Sequence, residues 1–361
     1  MTELVLNRYA QQAYQAALPG WLRKHAGLLG RLLAVSVAIL FLALTLGAVW
    51  LGYMQPVSLL ATLALITSAG MILSYVAARP ILHPRRTQPK FTPSDFGMPH
   101  SEEILFNAAD GVELGAWFVP PDPKGDGATV VFVHGLGGNR GDLLAEAALL
   151  ASRGYGALLI DSRNHGRSRG SITTLGYSEV DDVRGAVEYL LARPDVNPAH
   201  IGLFGYSMGG ATVLRAAARI PQVRAVIAAS TYTNLKDNIA HGIATKTGLP
   251  PFPFAPLMIW LGERMTGVRI EQIRPVDDVV RLAPRAVLFI HGMQDQMVDV
   301  QNALRLYEAA CEPKSLYLVQ NASHTGLLFA NPQEFERRVG EFLDRNLRGL
   351  RSPASAGPAR V

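Results

Sequence analysis

From residue 129 onward the chain alternates between two kinds of apolar pattern. Short runs in which nearly every position is apolar, at residues 129–133, 157–160, 201–204, 223–229, 286–290 and 315–319, show no period-two alternation and read as strands buried on both faces. Longer stretches at 142–152, 179–191, 211–219, 300–311 and 333–347 bring an apolar residue back every three or four positions. These read as helices that pack by one side. A strand, a helical crossover and another strand, repeated, give a mostly parallel sheet with helices on both faces, an α/β architecture. Ahead of it, residues 103–108 and 112–119 flank Asp110-Gly111, a hairpin turn signal.

The N-terminal part follows a different pattern. No Asp, Glu, Lys, Arg or His interrupts residues 32–78, 47 consecutive positions. One membrane-spanning helix needs roughly 20 apolar residues, so the stretch predicts two transmembrane helices. They would join at Met54-Gln55-Pro56, with Trp50 and Tyr53 at an interface. A cleaved signal peptide fits less well, because its apolar region is shorter and stands nearer the start. The expected organisation is a lead-in at 1–31, the two helices at 32–78, a Pro-rich extended linker at 79–102, one domain at 103–347 and a disordered tail at 348–361 rich in Ser, Ala, Pro and Gly.

Charge alters one inference. The chain has 361 residues, 49% hydrophobic, and a net charge of +5, a balance that taken whole suggests nucleic acid. Yet residues 1–90 hold eight Lys/Arg against one acid and the last seventeen hold four Arg and no acid, which leaves residues 91–344 at −6. A domain of that sign has no attraction to phosphate backbones, so no nucleic-acid partner is expected. The basic residues flank the apolar stretch, and by the positive-inside rule both ends and the domain are expected on the cytoplasmic side of a membrane. The single cysteine, Cys311, excludes an internal disulfide and is expected as a packed side chain.

The candidate chemistry lies just past strand ends, where an open α/β sheet binds its ligands. Gly205-Tyr206-Ser207-Met208-Gly209 stands between a predicted strand and a predicted helix. Such a turn exposes a serine hydroxyl, and glycines two before and two after remove Cβ atoms that would collide. His134-Gly135-Leu136-Gly137-Gly138 follows the first parallel strand. Its Leu136 N–H, paired with that of Met208, would make an oxyanion hole. His291-Gly292-Met293-Gln294-Asp295 and the nearby Asp299 follow a later strand, and either aspartate could hold a histidine in one tautomer. Ala322-Ser323-His324 follows the last strand and supplies a general base in His324. His100, His165, His200 and His241 are expected as ordinary surface residues.

These motifs, with Asp161 to Gly170 (DSRNHGRSRG), resemble the α/β-hydrolase superfamily, in its serine-hydrolase branch, and are similar to the catalytic domains of prolyl-oligopeptidase-like enzymes. The resemblance covers about residues 103–346. It implies the α/β-hydrolase fold with a short cap at about 232–284 and a triad in the order Ser207, Asp295, His324, its His-Gly-x-x-Asp pattern selecting Asp295 over Asp299. It departs from the family at Asp299, where proline is usual, and at Asn164, where glycine is frequent. The segment beginning at Asp161 is expected as a structural turn. The apolar run at 249–260 of the cap would line an acyl pocket, touch a bilayer or serve as lid core, and Arg264, Arg269 and Arg274 could meet an anion. No metal or organic cofactor is implied. The expected activity is hydrolysis of a small-molecule or lipid ester, thioester or acyl bond by a membrane-anchored serine hydrolase. A serine peptidase and a non-catalytic membrane-tethered binding module are the alternatives.

Overall fold

The computed structural model describes residues 56–248 and 250–349. Its eight strands are β1 (Glu102–Asn107), β2 (Glu113–Val119), β3 (Thr129–Val133), β4 (Gly156–Ile160), β5 (Ile201–Tyr206), β6 (Val223–Ala229), β7 (Ala286–Gly292) and β8 (Lys314–Val319). They form one sheet in the order β1-β2-β4-β3-β5-β6-β7-β8. The β1–β2 hairpin runs antiparallel and meets β4 antiparallel, and all pairs from β4 across to β8 are parallel.

Every residue of β3, β4 and β7 is buried, which is why these strands read as unbroken apolar runs. Alternate side chains feed two cores. Val130 and Phe132 point to the face covered by α2 (Leu144–Ala151) and α9 (Pro332–Asn346), where Phe132 stacks on Phe204 at 5.5 Å. Val131 and Val133 point to the face covered by α3 (Glu179–Leu191), α4 (Met208–Ala217) and α8 (Gln301–Ala309). Truncating one such phenylalanine to alanine costs about 3–5 kcal/mol, so each face holds the sheet firmly beneath its loops.

Between β6 and β7 lies the expected cap. It contains α5 (Leu235–Thr247), α6 (Pro251–Thr266), a single turn at Ile270–Gln272 and α7 (Pro275–Val279). The Asn234 side chain caps α5 by accepting the Asp237 N–H at 2.8 Å, and left-handed Gly248 and Gly267 end α5 and α6. A third, small core of Leu175, Met208, Ala211, Tyr232, Leu235, Ile270, Ile273 and Val298 joins the cap to the start of α4. Arg215 of α4 ties it further, reaching Asp278 at 3.2 Å and the Gln272 carbonyl at 2.8 Å.

The expected pair of membrane spans is not supported by the described residues. A helix, α1 (Pro56–Leu82), occupies the second predicted span and runs past it to Leu82. Among the described residues, however, no helix is long and apolar enough to cross a membrane. The C-terminal turns of α1 belong to the domain: Ser74, Ala78 and Leu82 are buried, and Arg79 and Pro80 interrupt the apolar sequence. A Cβ at Gly70 would lie 3.7 Å from Leu257 of α6, so α1 packs on the cap. The first predicted span, the lead-in and nearly all of the tail lie outside the described residues.

The Pro-rich segment after α1 also differs from a free linker. Arg86 donates to the carbonyls of Ser168, at 2.9 Å, and Gly170, and Asn139 donates to the Thr87 hydroxyl at 3.0 Å. Residues Pro93–Phe96 make one helical turn with Pro93 and Phe96 buried. Cys311 is exposed, because α8 ends at Ala309 and leaves it in the following turn.

Candidate active site

Ser207 sits where β5 turns into α4, at φ 54° and ψ −113°. That backbone is strained for a residue with a Cβ, and its neighbours hold it there. The Ser207 N–H donates to the Ala229 carbonyl at 2.8 Å, and the Thr231 hydroxyl donates to the Ser207 carbonyl at 2.8 Å. The flanking glycines are required by two separate contacts. A Cβ at Gly205 would press into the Gly209 carbonyl, whereas a Cβ at Gly209 would press into the Val133 carbonyl of β3.

The structure brings together three of the predicted side chains in one line. The Ser207 hydroxyl lies 3.0 Å from His324 Nε2, and His324 Nδ1 lies 2.7 Å from Asp295 Oδ2. The Tyr206 hydroxyl donates to the His324 carbonyl, and the two rings meet edge-on at 6.0 Å, which fixes the imidazole from behind. Asp295 Oδ1 accepts the N–H groups of Met297 at 2.8 Å and Val298 at 2.9 Å. Its Oδ2 also lies 3.1 Å from His291 Nε2. Burial opposes the charge on Asp295, but the hydrogen bonds from His291, His324 and the Val298 N–H, with the nearby His324 charge, outweigh it. They hold the carboxyl well below the usual carboxylate range. Asp299 stands apart, exposed, accepting the Gln301 N–H at the start of α8.

The predicted oxyanion donors come from two elements. Met208 is the first residue of α4, where backbone N–H groups have no acceptor within the helix. Leu136 lies on the turn after β3, closed by the Gly138 N–H donating to the Gly135 carbonyl at 3.2 Å. A Cβ at Gly135 would lie 3.3 Å from Ser207 Cβ, so this turn passes directly beside the serine.

One of the four histidines expected on the surface is not there. His165 is fully buried, stacked edge-on against His134 at 4.9 Å. The segment around it is a structural turn: Asp161 Oδ1 accepts the Arg140 N–H at 2.7 Å and Oδ2 the Arg167 N–H at 3.0 Å. Asn164, in place of the frequent glycine, adopts φ 62° and donates through its side chain to the Leu82 carbonyl at 3.1 Å. Two further acids, half-buried Asp142 and buried Glu146, stand just before and on α2. Burial raises the Asp142 carboxyl to about 6 and that of Glu146 to about 7. The Glu146 Oε2 has no hydrogen-bond partner. In the cap, Arg274 pairs with Asp277 at 2.6 Å, and Arg264 stacks over Trp260 at 5.3 Å. An apolar cavity between α1 and the cap, walled by Ile81, Leu82, Leu175, Leu235, Ile239 and Ile259, is not lined by Ser207, Asp295 or His324. Among the described residues no cluster of three or more His, Cys, Asp or Glu could hold a metal ion.

A mostly parallel sheet with a sharp strand-to-helix serine turn and a cap between its sixth and seventh strands is the frame of an α/β hydrolase. The comparisons agree: residues 128–256 match the alpha/beta hydrolase fold family. YfhR of Escherichia coli (strain K12) is 30% identical over 62% of this chain and 73% of its own length. YqkD of Bacillus subtilis (strain 168) is 29% identical over 67% of this chain and 78% of its own. Among solved structures, the Pyrococcus furiosus esterase Pf2001 is 26% identical, with a TM-score of 0.62, over 74% of this chain and 98% of its own. The chain belongs to the α/β-hydrolase family, and it is a hydrolase.

Proposed function

We propose that this protein is a serine esterase acting on carboxyl ester, thioester or lipid acyl bonds. The observation that carries the reading is the continuous line from the Ser207 hydroxyl through His324 to Asp295, at 3.0 and 2.7 Å. Asp295, kept ionised, holds the Nδ1–H tautomer of His324, so Nε2 presents a lone pair to the serine. His324 takes the Ser207 proton as the oxygen attacks the carbonyl carbon, and the N–H groups of Leu136 and Met208 receive the oxyanion. The imidazolium then gives its proton to the leaving alkoxide or thiolate, and water, deprotonated by His324, releases the acid from Ser207.

Support for acyl substrates comes from the loops that carry the site, on which the apolar Leu136, Met293 and Met297 are exposed. The similarity to the esterase Pf2001 points the same way. Attachment to a membrane through the uncharged N-terminal stretch is part of the proposal. It is supported by the apolar side chains that α1 leaves exposed, among them Leu65 at 63% and Ile72 at 64%. Arg79, Arg85, Arg86 and Lys90 at the domain end of that stretch favour the cytoplasmic face.

The test is labelling by a fluorophosphonate probe, wild type against Ser207→Ala, followed by turnover of nitrophenyl esters of increasing chain length. Labelling and turnover in the wild type, both lost in Ser207→Ala, are expected. Equal labelling of the two proteins would remove Ser207 from the mechanism. A wild type that labels but cleaves no ester or thioester would remove the esterase.

A further inference from the structure

The turn that carries Leu136 has a freedom that its glycines create. Gly137 has φ +74° and the Gly138 N–H closes on the Gly135 carbonyl at 3.2 Å, the signature of a type II turn. Glycine at the third position tolerates type I as readily, and the two differ by a flip of the Leu136–Gly137 peptide plane. The Leu136 N–H itself belongs to the preceding Gly135–Leu136 peptide, whose carbonyl closes the turn, so both peptides must be held if that N–H is to stand ready for an oxyanion.

Two imidazoles stand at that place. The Gly137 N–H donates to His165 Nε2 at 3.0 Å, and the Ser162 N–H donates to His134 Nε2 at 3.1 Å. A backbone N–H can only donate, so both Nε2 atoms carry lone pairs and both rings hold their proton on Nδ1. The Nδ1 partners agree: His165 Nδ1 donates to the Arg163 carbonyl at 2.9 Å and His134 Nδ1 to the Gly135 carbonyl at 2.7 Å. Each of the two loops thus sends a histidine that accepts an N–H of the other, with the rings stacked between. Burial, and secondarily the neighbouring His134, lowers His165 to about 4, which keeps it an acceptor at neutral pH, although Asp161 and Glu179 pull the other way.

We propose that His165 is a positioning residue for ester hydrolysis: its neutral Nε2 holds the Gly137 N–H, and its ring backs the His134 imidazole whose Nδ1–H holds the Gly135 carbonyl, and with it the peptide that carries the Leu136 N–H. The inference rests on the serine-esterase reading above. It acts through the turn and touches no substrate, so it must show in transition-state stabilisation more than in substrate binding.

The experiment compares His165→Leu, which cannot accept, with His165→Gln, whose carbonyl can. Each is assayed for kcat and KM on a short nitrophenyl ester, for Ki of a trifluoromethyl ketone that forms a hemiketal oxyanion on serine, and for thermal stability. His165→Leu is expected to lose about 100-fold in kcat, with KM moved less than about threefold and Ki raised in step with the fall in kcat/KM. His165→Gln is expected to recover at least about tenfold of that loss. A folded His165→Leu that keeps wild-type kcat and Ki would overturn the positioning role and leave the esterase standing. A wild type that neither cleaves the ester nor binds the ketone would overturn the esterase and this inference with it. Nitrogen NMR of the wild type needs no variant: His165 at neutral pH is expected as the Nδ1–H tautomer, and a proton on Nε2 would overturn the proposal.

Discussion

Replacing Asp295 by asparagine keeps the shape of the side chain and changes what its two atoms can do. In the native site Oδ1 takes the N–H groups of Met297 and Val298, and Oδ2 faces His324 Nδ1 at 2.7 Å and His291 Nε2 at 3.1 Å. Asparagine has one accepting oxygen and must choose. If the oxygen turns to the histidines, the amide N–H groups confront two backbone donors of the loop, at about 1–3 kcal/mol for each buried donor left unpaired. With the oxygen turned to the loop, the cost is smaller, because His291 Nε2 keeps the Val298 carbonyl at 2.9 Å. The second arrangement therefore wins, and it places an amide N–H against His324 Nδ1. His324 responds by carrying its proton on Nε2, where it points at the Ser207 hydroxyl as a donor and cannot accept the serine proton.

The expected result is a fall in kcat of about 10⁴, equivalent to about 5 kcal/mol of transition-state stabilisation, with KM little changed. The assay is steady-state hydrolysis of a short nitrophenyl ester by purified Asp295→Asn, with a thermal melt run beside it. A folded variant that loses less than about tenfold in kcat would refute the assignment of tautomer control to Asp295, since a tautomer error alone costs far more.

Gly209→Ala is expected to give little or no folded protein, because the new Cβ meets the Val133 carbonyl of a central strand that cannot move aside. A normal melt for this variant would contradict the close approach of α4 to β3. Glu146 provides a pH test of stability. Its carboxyl is raised from 4.5 to about 7 by burial, so the folded state holds a proton that the unfolded chain has released over that interval. The resulting stabilisation is fully present below pH 4.5 and is lost as pH rises through about 7. Glu146→Gln removes this dependence, so its stability relative to wild type is expected to grow by about 3 kcal/mol from pH 4.5 to 7 and then stay level. Urea unfolding at the two ends of the window measures it, and a difference independent of pH would show that Glu146 is not buried as a neutral acid.

Where the sequence spoke clearly, one local rule decided. Strands buried on both faces must be apolar at nearly every position, so β3, β6 and β7 were legible with their starting residues, and the candidate site residues drew notice because they lie just past strand ends. Periodicity says nothing about which distant surface a segment lies on. The Pro-rich segment therefore read as free chain, although Arg86 and Thr87 bind carbonyls and side chains some 50 to 80 positions away. The same limit explains α1, which leaves apolar side chains such as Leu65 and Ile72 exposed while its last turns are spent on the domain.

His165 marks a different kind of omission, since the information was present in the order of the strands. Parallel neighbours β3 and β4 end at the same edge of the sheet, so the loops that follow them must lie side by side. Residues His134 to Gly138 leave the first and Asp161 to Gly170 leave the second. A Gly-rich turn whose N–H groups cannot all point into the crevice needs acceptors on the adjoining loop, and a buried polar group there must be paired. In that second loop, a side chain with both a donor and an acceptor atom can bond a carbonyl of its own loop and an N–H of its neighbour's at once. His165 does so through Nδ1 and Nε2, which is why its burial and its place beside the Gly-rich turn are one fact of topology and chemistry together.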